Sequence, residues 1–213
     1  MKTYTHEEER ANAVSHAWGI ALGVIVSAYF IFFSSIHLTW VATLGVSLYA
    51  LGMLASYICS TIYHSLPQLS KAKAIARKWD HSAIYWHIAG SYSPIVLIAL
   101  IHQSFWGWLI LSVVWICAIV GTVFSFQKIT THSHFKTACY IAMGLVILIA
   151  FKPLMDCVPT STIWWLIGEG ASFIIGAVFY GFKNLKFMHT VFHIFCLLGT
   201  ICHMMAVWYI LTM

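Results

Sequence analysis

The chain has 213 residues, of which 61% are hydrophobic, 16% aromatic and only 8% charged, with a formal net charge of +5. A soluble domain carries about 25% charged residues, so these charges are too few to coat a globular surface, and the apolar content is far too high for a disordered chain. A mean hydropathy of +0.87 and room for about seven apolar helices of roughly 20 residues point to an all-α integral membrane protein, a seven-helix transmembrane bundle, and exclude a two-domain soluble enzyme.

Residues 1–13 are polar, carry Glu7, Glu8 and Glu9, and lack the basic start of a cleavable signal peptide; they read as a cytoplasmic N-terminal segment. A single transmembrane domain, residues 14–213, follows. Its apolar segments run Val14–Phe33, Trp40–Tyr63, Ala83–Ile101, Trp106–Phe126, Thr137–Phe151, Thr162–Tyr180 and Thr190–Thr212. Most are long enough to cross a hydrocarbon core of about 30 Å. The fifth is short and is expected to extend to Leu154, with Lys152 snorkelling outward. Barrel strands would instead alternate over about 10 residues. Trp40, Trp79, Trp106, Trp164 and Trp208 sit near segment ends, as interfacial aromatic belts do. Cys59, Cys117, Cys139, Cys157, Cys196 and Cys202 form no C-x-x-C pair and read as small buried hydrophobes.

The basic residues set the orientation. Lys2 and Arg10 precede the first segment; Lys71, Lys73, Arg77 and Lys78 join the second to the third; Lys128 and Lys136 join the fourth to the fifth; Lys183 and Lys186 join the sixth to the seventh. In a seven-span chain all four regions share one side, and Lys152 alone falls on the other. The positive-inside rule puts the N-terminus in the cytoplasm and the C-terminus outside, opposite to G-protein-coupled receptors. The net positive charge thus reports orientation in a cell membrane rather than a nucleic-acid partner. The Lys71–Lys78 stretch is expected to attract anionic lipid headgroups.

Ionisable and polar groups at membrane depth are the functional candidates. They fall at three places on the cytoplasmic side: Ser60 to His64, Asp80-His81, and His189 to His193. On a helix the i, i+4 spacing puts His189 and His193 on one face, about 6 Å apart along the axis. That suits two ligands of one metal ion, and equally two interfacial histidines bonded to backbone or headgroups. His64 offers a third ligand at the same depth. Three imidazoles leave an open coordination position, the catalytic zinc pattern. Zinc would lower the pKa of water toward about 7, and Asp80 would accept or hold that proton. Ser60, one turn from His64, either bonds water or substrate there or bonds its own helix backbone.

Glu9 to His16 reads E-x-x-N-x-x-[ST]-H, Ser60 to His64 reads S-x-x-x-H, Asp80 to Ile84 reads D-H-S-A-I, and His189 to His193 reads H-x-x-x-H, with His203 ten residues on. Their order and spacing resemble the haemolysin III branch of the progestin and adipoQ receptor family, within a superfamily that includes alkaline ceramidases. The resemblance spans nearly the whole chain. It implies a seven-helix fold, zinc held by His64, His189 and His193, Asp80 against zinc-bound water, and Ser60 beside the site. Its ceramidase and adiponectin-receptor relatives imply hydrolysis of a lipid amide, its name implies membrane lysis, and its bacterial members imply membrane homeostasis. Glu9, Asn12 and His16 are expected at the site's cytoplasmic rim.

Other polar residues have plainer readings. His203 is about 15 Å along its helix from His193, too far to share one zinc, and lines a cavity if it acts at all. His81 reads as interfacial or supporting, and His87 as a packed core histidine. Glu169, flanked by Gly168 and Gly170, lines a polar cavity or sits near the outer half. The functions to be weighed are a zinc-dependent hydrolase of an acyl-chain lipid, cleaving an amide or ester bond; a non-catalytic regulator with structural zinc; and a membrane-lytic haemolysin, for which few mid-span charges line a pore. Haem ligation by the paired histidines fits less well than zinc, given three ligands and an adjacent acid.

Overall fold

A computed structural model of the chain describes residues 4–102, 105–127, 133–182 and 184–213. Lys2, Lys128 and Lys183, used above for orientation, lie outside the described residues. The described structure is all-helical: α1 (His6–His37), α2 (Trp40–Ser65), α3 (Lys71–Ile98), α4 (Phe105–Phe126), α5 (Ser133–Gly144), α6 (Phe151–Cys157), α7 (Thr160–Gly181) and α8 (Met188–Leu211), with short 3-10 turns at Leu100–His102 and Val146–Ala150.

Local chemistry sets the helix starts. Thr5 and Glu8 form a capping box at α1: Glu8 N–H donates to Thr5 Oγ1 at 3.2 Å and Thr5 N–H to Glu8 Oε2 at 2.9 Å. Thr39 and Ser70 cap α2 and α3 in the same way, their hydroxyls accepting from Ala42 N–H and Lys73 N–H. The capping box starts α1 at His6, so most of the polar stretch 1–13 forms the opening turns of a 32-residue helix. Before α8 the chain turns through Phe187 at φ 60°, a left-handed conformation uncommon for a residue with a Cβ. Phe187 N–H donates to Glu8 Oε1 at 3.1 Å, which fastens the start of α8 to the start of α1.

The helices close on one another in a ring. α1 packs on α2, α2 on α3, α3 on α5, α5 on α7, α7 on α8 and α8 back on α1, while α4 packs outside against α3. The α2–α3 seam is the tightest. A Cβ built on Gly52 would stand 2.2 Å from the Trp86 carbonyl oxygen, and one on Gly90 would stand 2.8 Å from that of Leu48. Only glycine lets two backbones approach so closely, the use small residues serve between membrane helices. Tyr49, Met53, Tyr57, Val96, Leu100 and Val207 are wholly buried at the centre. Trp18, Ile25, Phe32, Ile116, Ile119, Trp164 and Ile167 lie exposed outside, an apolar exterior that only lipid solvates well.

Six stretches among the described residues are long and apolar enough to cross a membrane: α1, α2, α4, Phe135–Cys157, α7 and α8. α3 holds most of the expected third segment. It carries Asp80, His81, Ser82, His87, Ser91 and Ser93, and protein surrounds it, with α2, α4, α5 and α8 all packed on it. A helix enclosed in this way can bear polar groups that lipid would not tolerate.

The expected continuous fifth helix is not seen. α5 ends at Gly144 and passes through a 3-10 turn into α6. Tyr92 of α3 explains how the break is tolerated: its hydroxyl donates to the carbonyls of Met143 and Gly144, at 3.0 and 2.6 Å, and accepts from Ile147 N–H at 3.2 Å. One side chain satisfies the backbone groups that the interruption releases. Lys152 is exposed and pairs with Asp156 at 3.2 Å. All six cysteines are free.

The ring encloses a cavity of about 340 Å³. Residues of α1, α2, α3, α5, α7 and α8 line it.

Candidate metal centre

His64, on the last turn of α2, meets His189 and His193 on the first turns of α8. One donor atom from each of the three rings lies within 4.8 Å of the others. His64 Nε2 and His189 Nε2 are 3.2 Å apart. His64 and His193 are buried and His189 is half-buried.

The other ring nitrogens explain why the donors converge. His64 Nδ1 lies 2.6 Å from Glu9 Oε2. Lys73 Nζ lies 3.0 Å from Glu9 Oε1, which keeps Glu9 a carboxylate and an acceptor only. His64 therefore donates Nδ1–H and presents a lone pair at Nε2. His193 Nδ1 lies 3.2 Å from the Asn12 carbonyl oxygen, also acceptor-only, so it too donates from Nδ1 and keeps Nε2 as a lone pair. Ser15 Oγ sits 3.1 Å from the same Nδ1 and donates to the Asn12 carbonyl at 2.8 Å. Carboxylate and carbonyl partners of this kind orient metal-bound histidines and raise their basicity.

These residues fit a metal ion. Two nitrogens at about 2.05 Å from one tetrahedral zinc stand roughly 3.3 Å apart, and the His64–His189 pair is 3.2 Å apart. Neutral imidazole donors with a buried carboxylate behind them are also the donor set that zinc takes, whereas calcium and magnesium prefer all-oxygen shells.

α1 supplies the scaffold. Glu9, Asn12 and His16, expected at the rim, lie directly behind the histidines. His16 stacks on His193 with ring centroids 3.6 Å apart and planes 17° apart. Thr190 Oγ1 donates to Asn12 Oδ1 at 2.6 Å, a further tie between α1 and α8. Tyr4 stacks on His189 with centroids 5.1 Å apart; its carbonyl accepts from Gln68 Nε2, and burial pushes its hydroxyl pKa well up.

Four supporting residues were not singled out from the sequence for this role: Tyr4, Glu8, Lys73 and Thr190. Lys73 was read with its neighbours as a headgroup contact. It is instead buried, and its ammonium donates to the carbonyls of Tyr63 and Leu66, at 2.8 and 3.1 Å, as well as facing Glu9. Its place seven residues beyond the α2 cap, Leu66, under the open end of that helix, was the available signal: a cation satisfies such carbonyls. Glu8 carried a signal too, as the third residue after a threonine cap.

Ser60 and Asp80 come together in the same region. Both line the cavity with His16, His189 and His193. Asp80 is not one of the three grouped ligands; the charged groups around it include His64, Arg77 and Lys73. His81 and His87 line the cavity as well, so His87 faces a space rather than a packed core. Glu169 and His203 lie elsewhere on the cavity wall, joined at 2.8 Å.

Fold and site together define a class: a polytopic helical membrane protein with a three-histidine centre opening on an internal cavity. The family model for haemolysin-III related proteins matches residues 4–204. Hemolysin-3 of Bacillus cereus is 35% identical over 196 residues, covering 91% of this chain and 87% of its own. A Hemolysin-3 homolog of Bacillus subtilis is 32% identical over 197 residues, covering 92% and 91%. An ADIPOR-like receptor of Saccharomyces cerevisiae is 24% identical, covering 78% of this chain and 59% of the yeast protein. The chain belongs to the haemolysin III family, is related to the progestin and adipoQ receptors, and is a multi-pass protein of the cell membrane.

Proposed function

We propose that the protein crosses the membrane seven times, with its N-terminus in the cytoplasm, and hydrolyses an acyl-chain lipid at an amide or ester bond with zinc held by His64, His189 and His193. The observation that carries this reading is the convergence of two lone-pair imidazole nitrogens and a third histidine beside a cavity that also holds Asp80 and Ser60. Zinc at this place supplies Lewis-acid polarisation of a carbonyl and a water nucleophile active at neutral pH. Asp80 takes the proton from the attacking water at a carboxylate oxygen and returns it to the leaving group. Ser60, on the same cavity wall, fixes the direction of that carboxylate. Arg77 and Lys136, on the same cavity wall, hold the polar head of the substrate, while Ile88, Leu166 and Phe173 face its chain.

Released fatty acid from a purified, metal-loaded sample given a short-chain ceramide tests this directly. Turnover is expected to fall by at least about 100-fold in Asp80→Asn and to vanish in His189→Ala/His193→Ala. Equal release by wild type and the double variant sinks the hydrolase.

A regulator with structural metal is the second reading, favoured by the position of the ligands, which join the end of α2 to the start of α8. It requires loss of thermal stability without metal and no turnover at any metal load. The name of the Bacillus cereus relative, Hemolysin-3, keeps membrane lysis as a further reading; conductance in liposomes at low protein load supports it.

A further inference from the structure

Glu169 and His203 form a second polar pole in the cavity, one that the hydrolytic reading leaves unused. Glu169 lies on α7 and His203 on α8, ten residues past His193 and so about 15 Å along the helix. His203 is 98% buried, with an exposure of 2%. Its Nδ1 is 2.8 Å from Glu169 Oε2, and its Nε2 is buried with no hydrogen-bond partner. The Tyr49 hydroxyl, on a ring 4.7 Å from that of His203, is buried without a partner too. Such atoms cost free energy unless something bonds them. There is also room beside the carboxylate: Gly170 lines the cavity, and a Cβ built there meets nothing within 4 Å. The same cavity wall carries apolar side chains, among them Ile88, Leu166, Phe173 and Ile174, together with the polar His87, Ser91 and Tyr92.

The chemistry of the pole specifies what it takes. With Nδ1–H given to Glu169, His203 Nε2 is an acceptor, and the second Glu169 oxygen is another. The Tyr49 hydroxyl can accept as well as donate, so a ligand that donates hydrogen bonds suits every group at the pole. We infer that the cavity binds an amphiphile with two polar ends, whose far end is a hydrogen-bond donor, a hydroxyl or ammonium group, seated on Glu169 and His203. The other end lies toward Arg77 and the histidine centre. The span of about 15 Å corresponds to an extended chain of roughly a dozen bonds, at about 3.5 Å for every three. This deepens the proposed hydrolysis by naming its substrate class, a chain hydroxylated or aminated at its far end, and rests on that reading only for the reaction.

Binding without turnover tests it, using the full-length protein in detergent and four probes: dodecanoate, ω-hydroxydodecanoate, ω-aminododecanoate and dodecanedioate. The hydroxyl or amino probe is expected to bind about tenfold tighter than dodecanoate, the gain of one hydrogen bond to a charged group. The dicarboxylate is expected to bind most weakly, because its far carboxylate faces Glu169. Glu169→Gln and Gly170→Leu should each remove the preference while keeping wild-type metal content, which certifies the fold. Equal affinity for dodecanoate and both donor probes means that the pole holds only water and overturns the inference, as does a preference that survives in both variants. Absence of hydrolysis leaves the binding result standing, and equal probe affinities leave hydrolysis standing.

Discussion

Glu9 shows how one carboxylate can organise a site it does not enter. Its two oxygens face different partners, His64 Nδ1 at 2.6 Å and Lys73 Nζ at 3.0 Å. One contact fixes the tautomer of His64; the other keeps the carboxylate charged at a buried position. Glu9→Gln keeps the shape and removes the charge. Its zinc affinity is expected to fall by about 10- to 100-fold, as when the partners of metal-bound histidines are lost. Glu7→Gln, at an exposed position on the same turn, should leave affinity unchanged in a competitive chelator titration. Matching affinities in the two variants would show that Glu9 does not act through His64. The motif spanning Glu9 to His16 was legible in the chain as a spacing of polar residues, but its work was not. Spacing on α1 says which residues share a face and not which imidazole stands across from them.

At the scale of helices, the α2–α3 seam sets the position of the site, because α2 carries Ser60 and His64 while α3 carries Asp80. Gly52→Ala places a methyl 2.2 Å from the Trp86 carbonyl oxygen, where the obstacle is rigid backbone. The helices must part, at a cost of about 1–3 kcal/mol. Gly181→Ala, with nothing within 4 Å of the new methyl, serves as the control and should be close to neutral. Thermal denaturation in detergent compares them; equal midpoints would mean that the seam is slack. Most segments were readable from apolar runs, since lipid demands about 20 apolar residues per crossing. The interruption after Gly144 was not. Nothing in the run Leu145–Ala150 marks a break; what permits it is the Tyr92 hydroxyl, brought in from another helix.

At the scale of the molecule, a metal held between α2 and α8 by the three histidines would act as a clasp on the ring. Metal at about 100 times its Kd adds about 2.7 kcal/mol to stability, so chelation should lower the unfolding midpoint of wild type and leave that of His193→Ala unmoved. A chelation effect of equal size in both would place the metal elsewhere. Orientation is tested by cysteine labelling in a cysteine-free background, which the absence of any disulfide makes practicable. A cysteine replacing Lys152 should react with an impermeant maleimide on intact cells, and one replacing Lys71 only after lysis. The reverse pattern would overturn the charge-based topology.

Solvent chose much of this fold before any contact formed. Low charge and long apolar runs with the lysines gathered between them follow from how hydrocarbon and water each treat a side chain, and composition and order alone carry that information. Which donors meet is another matter. His64 lies 125 positions before His189, and their encounter depends on a ring of helices closing until α1 touches α8. The same closure turned Lys73 inward, put His16 against His193 and set Glu169 on His203, because a hydrogen bond between helices depends on their rotation and depth, which local order along one chain does not encode.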